Sequence, residues 1–159
     1  MPTPDVVSAE IAARVAADAA VRRDRINDGF SRFYAPLAVV AFVLTFLPYY
    51  RSDPESSFRF GGLWQELART GHSYNAAAML IFVALIALLT IAALRKLPGS
   101  GLFIAAALSL TIGIMLWNAP GFSDPPELTD VGILDIAFSF TAAGMLLVHV
   151  VLLVIYRRR

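Results

Sequence analysis

Four separate apolar runs, at residues 34–50, 74–94, 101–118 and 131–156, dominate a chain of 159 residues. Each approaches or exceeds the ~20 apolar residues with which a helix crosses a ~30 Å hydrocarbon core. No charge interrupts the first three. A soluble domain this small lacks the interior to bury so much hydrocarbon, so the expected solvent is a bilayer. The fold class predicted is an all-α membrane protein with four transmembrane helices, both termini cytoplasmic, and an N-terminal cytoplasmic amphipathic helix.

Composition agrees: 58% of residues are hydrophobic and 16% charged, against about 25% charged in an average soluble protein. Cysteine is absent, which excludes disulfides, thiolate nucleophiles and thiolate-held metals or clusters. All the cations but Lys96 are arginine and alanine is abundant, a bias that resembles high-GC bacterial coding. No basic nucleic-acid footprint accompanies the net charge of +1, so no nucleic-acid partner is expected.

Orientation follows from where the cations lie, because cytoplasmic flanks collect Lys and Arg. With the N-terminus inside, the inner segments hold Arg14, Arg22, Arg23, Arg25, Arg32, Arg95, Lys96, Arg157, Arg158 and Arg159; the outer loops hold Arg51, Arg59 and Arg69. No small-residue cleavage site follows the first run, which reads as a retained span. The expected location is the plasma membrane, crossed several times.

The chain divides into a cytoplasmic helix at residues 1–33 and a membrane domain at 34–159, with outer loops at 51–73 and 119–130. Thr3, Pro4 and Asp5 form a helix start, and Val7, Ile11, Val15 and Ala19 make a narrow apolar stripe suited to a membrane surface or a partner. Asn27, Asp28 and Gly29 are expected to end that helix, and Pro36 to stand early in the next. Tyr49, Tyr50, Tyr74, Trp117 and Phe122 read as an outer aromatic belt, and Phe33, Tyr34 and Tyr156 as an inner one. Residues 95–100 form a tight inner turn. In the first outer loop, Phe58, Arg59 and Phe60 suggest a brief strand, and residues 63–67 one or two helical turns. The second reads as an extended acidic connector.

The candidate functional residues fall into three groups. Gly101, Ala105, Ser109 and Gly113 place a small side chain at every fourth position of the third span, a face that lets helix backbones touch; Trp64 is the candidate contact on the outer loop. Asp135, Ser139 and His149 put polar groups on one stripe of the fourth span, where a carboxylate is costly; Asp135 is expected to be stabilised by water, a loop arginine or helix-terminal amides, and His149 to bond a neighbouring helix or a headgroup. Arg157, Arg158 and Arg159 serve as a topological lock with anionic lipid contact. No catalytic, cofactor or metal motif is present: there is no His-x-x-x-His, phosphate loop or G-x-S-x-G elbow. His72 stands in a mixed-charge loop without informative spacing.

Gly62, Leu63 and Trp64 in a first outer loop longer than the second, with a tight inner turn, resemble the claudin and peripheral-myelin tetraspan layout. That family's cysteine pair has no counterpart, so the resemblance implies topology and no junctional role. The four-span layout also resembles small accessory membrane subunits of actinobacterial envelope complexes, including the LucB-type subunits associated with MCE lipid importers. This implies a non-catalytic subunit beside a permease, partnered by other integral membrane subunits. The alternatives are a small oligomeric transporter or channel and an accessory subunit of a respiratory complex.

Overall fold

The computed structural model describes residues 4–52, 60–70, 73–119 and 126–158. Five helices follow in order: α1 (Pro4–Leu44), α2 (Leu63–Thr70), α3 (Ser73–Leu94), α4 (Gly99–Asn118) and α5 (Asp130–Arg158). Three segments are long and apolar enough to cross a membrane: Ala76–Leu94, Gly99–Asn118 and Asp130–Tyr156. These correspond to three of the four expected spans, and the all-helical class holds among the described residues. The protein thus has the character of a multi-pass membrane protein.

The long helices close into a ring. α1 packs on α3 and α5, and α4 packs on α3 and α5, so α1 and α4 stand diagonally opposite. The short connection at residues 95–98 makes α3 and α4 antiparallel neighbours. At this turn end, Lys96 pairs with Asp24 of α1 at 2.7 Å, and the hydrogen bond that the ammonium donates to the Asp24 carboxylate raises the lysine pKa above its ordinary value. At the opposite, loop end, Tyr50 and Leu128 form an isolated antiparallel bridge. Arg51 N donates to the Glu127 carbonyl at 2.7 Å, and Thr129 N to the Tyr49 carbonyl at 2.8 Å.

Two expectations for the first span are corrected. The helix does not end at Asn27, Asp28 and Gly29; α1 runs through all three. Gly29 stands where an added Cβ would meet nothing within 4 Å, so its cost is the ~1 kcal/mol of an interior glycine, and packing further along the helix outweighs it. The boundary at 33/34 therefore falls inside a helix, Arg22, Arg23 and Arg25 lie mid-helix, and Pro36 is an interior proline. A proline there removes one backbone hydrogen bond and costs roughly 3 kcal/mol in an isolated helix, a cost that neighbouring helices offset in membrane proteins.

The helix also stops at Leu44, six residues before the apolar run does. Thr45, Phe46 and Leu47 switch to bonds with the carbonyls three residues back, and the Thr45 hydroxyl donates to the Phe42 carbonyl at 2.6 Å. A threonine hydroxyl competing for a helical carbonyl, followed by Pro48 without an N–H, ends the ladder.

The expected turns near Trp64 are α2. Its Trp64 Nε1–H donates to Thr45 Oγ1 at 2.9 Å, and the indole stacks on Phe46 with centroids 5.8 Å apart. Gly62 lies so close to the Phe46 backbone that a Cβ would collide with its carbonyl group, so glycine is required. The expected strand at Phe58 and Arg59, His72, Phe122 and Arg159 lie outside the described residues, as do the side chains of Tyr74, Arg157 and Arg158.

Candidate functional site

The small-residue ladder of α4 is spent within the chain. Ala105 and Ser109 are fully buried and Gly113 joins them on the face toward α5. The Ser109 hydroxyl donates to the Ser139 carbonyl at 2.9 Å. A Cβ on Gly113 would lie 3.3 Å from both Ser139 Cβ and Phe140 Cε2, so glycine lets the two backbones meet. Gly101, the first rung, is only part-buried, and its close neighbour is Leu97 of its own turn.

Two buried polar layers lie inside the ring. Near the turn end, His149 of α5 is 2% exposed and bonded on both ring nitrogens to α1. Tyr34 Oη lies 2.5 Å from Nδ1, and Asn27 Oδ1 lies 3.0 Å from Nε2. With the phenol donating to Nδ1 and Nε2–H donating to the amide oxygen, both ring nitrogens are used and the imidazole is neutral. Phe30 stacks on the ring at 4.4 Å, within 2° of parallel. A cavity of about 140 Å³ reaches this cluster, lined among others by Ser31, Arg95 and Lys96. That space is large enough for several waters. Next to it a groove of about 620 Å³ runs between α1 and the end of α5, with Ala16, Ala19, Arg23 and Tyr156 in its wall.

Sequence reading placed Tyr34 in an aromatic belt. It is 1% exposed and belongs to the interior. Asn27, Phe30 and Tyr34 share one helical face at spacings of three and four, a signal that the expected helix break concealed. Tyr49 leaves the outer belt too, being buried with its hydroxyl donating to the Leu44 carbonyl at 2.9 Å; no periodicity marks it, since it follows the end of α1. Trp117 and Phe33 are well exposed, as belt residues are.

Near the loop end, Asp135 is 0% exposed. Neither carboxylate oxygen has a hydrogen-bond partner, nor does the hydroxyl of Ser139 one turn on. Of the expected helpers that are described, Arg51 faces Glu127 at 3.6 Å on the surface, and the head of α5 is capped by Thr129, whose hydroxyl accepts from Gly132 N at 3.0 Å; Arg59 and the side chain of Arg69 lie outside the described residues. Asp135 and His149 remain ~21 Å apart along α5 at 1.5 Å per residue, so the two layers do not form one relay. No group of three or more His, Asp or Glu able to hold a metal ion occurs among the described residues.

No protein-family model, no curated protein and no solved structure matches this chain.

Proposed function

We propose that the chain is a non-catalytic accessory subunit of a larger membrane complex, held in the plasma membrane by four crossings with both termini cytoplasmic. The fourth crossing is made by the second half of α1, continued by the segment through Tyr50 that covers the loop end. The cation asymmetry supports this orientation.

The observation that carries the reading is the length of α1. Its 41 residues span ~60 Å at 1.5 Å per residue, about twice the hydrocarbon core. The first half therefore projects from the bundle, with Ile11 58% and Val15 53% exposed. A rigid arm bearing an apolar stripe, fused without a break to a membrane bundle, suits a subunit that ties a neighbour to the bilayer. The layout resemblance makes a lipid importer the first partner complex to examine.

The test is extraction of the tagged full chain in mild detergent, with identification of co-purifying proteins. The wild type is expected within one larger membrane assembly, and the Ile11→Glu, Val15→Glu variant to lose it while keeping its fold. A wild-type protein that purifies alone after several gentle extractions refutes the accessory role.

A further inference from the structure

We propose that Asp135 and Ser139 form an exchangeable binding site for a small monovalent cation, closed on the loop side by the segment around Tyr49 and Thr129. The proposal is independent of the accessory role.

Three observations converge. First, a carboxyl group has been taken wholly out of solvent with both oxygens unpartnered. Desolvating a charge without pairing costs several kcal/mol or more, so the group is held neutral, by its own proton or by another bound cation. Second, no charged side chain among the described residues pairs with it. The titratable or charged groups described at the loop end are Tyr49, Tyr50, the surface pair Arg51 and Glu127, Glu66 of α2, and Asp130 at the head of α5; between residues 76 and 118, α3 and α4 contribute none. Third, hydroxyl oxygens stand beside the carboxyl. Ser139 Oγ, one turn on, is buried with no hydrogen-bond partner, and the Tyr49 hydroxyl has the Leu44 carbonyl as its acceptor.

One carboxylate neutralises one unit of charge. With no second carboxylate beside it, the site matches a proton or sodium and not a divalent ion, which takes several carboxylate or carbonyl oxygens. Exchange is built into the position. Asp135 stands five residues from the head of α5, ~7.5 Å along the axis, beneath a cap fastened by the Tyr50–Leu128 bridge and by the Thr129 hydroxyl donating to the Pro48 carbonyl at 2.8 Å. The cap is irregular backbone outside the helices, with Tyr49, Tyr50 and Leu128 packed on the apolar core, and exchange proceeds by its local opening.

Dicyclohexylcarbodiimide reads this site. It enters apolar protein interiors and adds a protonated carboxyl across its C=N bond, the acid proton passing to nitrogen, before rearrangement to a stable N-acylurea; ionised surface carboxylates lack the proton. The full chain in lipid nanodiscs is treated across a pH series, with sodium chloride or choline chloride, and the adduct is located by mass spectrometry. Labelling is expected at Asp135 ahead of every other acid, with loss as pH rises. Loss indifferent to sodium identifies a proton site; protection by sodium over choline, weakened in Ser139→Ala, identifies a sodium site. Either supports the proposal. No labelling of Asp135 at any pH, or labelling independent of both pH and sodium, overturns it. Asp135→Asn, an uncharged isostere, serves as the unlabelled control, and the wild-type result decides even if that variant is unstable.

Discussion

Tyr34 and His149 are 115 residues apart in sequence and 2.5 Å apart in the bundle, so α1 and α5 are joined by a buried polar clamp where lipid-like packing alone is weakly directional. Apolar side chains gain little by leaving lipid for protein, and a hydrogen bond between helices fixes their rotation and register. Tyr34→Phe leaves Nδ1 of His149 buried without a donor, at a cost of about 1–3 kcal/mol. His149→Leu frees Asn27 and Tyr34 together. In a double-mutant cycle, read by thermal unfolding in detergent, the two changes are expected to be less than additive. Strict additivity would show that the bond carries no coupling.

Gly113 and Gly144 are both glycines within membrane helices, yet opposite outcomes are expected. An added Cβ at Gly113 already reaches Ser139 and Phe140 at 3.3 Å, whereas at Gly144 nothing lies within 4 Å. Gly113→Leu should separate α4 from α5 and destabilise by about 1–3 kcal/mol or more. Gly144→Ala should be neutral or stabilising by up to about 1 kcal/mol through reduced backbone freedom. Melting temperatures of the two variants in the same detergent check the contrast.

Trp64 holds α2 against the end of α1 through its indole N–H and its ring. Trp64→Ala is therefore expected to raise amide hydrogen exchange across residues 63–70 and at Thr45, leaving α4 and α5 protected. Unchanged exchange in α2 would mean that other contacts seat it.

The number of crossings is read from single cysteines introduced into this cysteine-free chain. With four, a cysteine at Ser56 is labelled by an impermeant reagent from outside intact cells, and cysteines at Ala9 and Ser100 only after the membrane is opened. If α1 does not cross, Ala9 and Ser56 report the same side.

The helices α3, α4 and α5 were legible in the sequence, because a span across a bilayer is a local property: ~20 adjacent apolar residues satisfy it whatever surrounds them. The turn expected at residues 95–100, of which Gly99 and Ser100 already belong to α4, and the short helix at Trp64 were legible for the same reason, through local proline, glycine and spacing. The ladder at Ala105, Ser109 and Gly113 was legible as a close-packing face. What covers it is a tertiary fact, and α5 does. The course of α1 was misread at Asn27, Asp28 and Gly29, residues with turn preferences of about 1 kcal/mol or less, because contacts of Asn27, Phe30 and Tyr34 with a histidine over a hundred residues away outweigh those preferences. Asp135 shows the same division. Its presence in an apolar run is written in the chain, whereas its complete burial without a partner depends on where Tyr49, Ser109 and Ser139 point once four helices have closed around it.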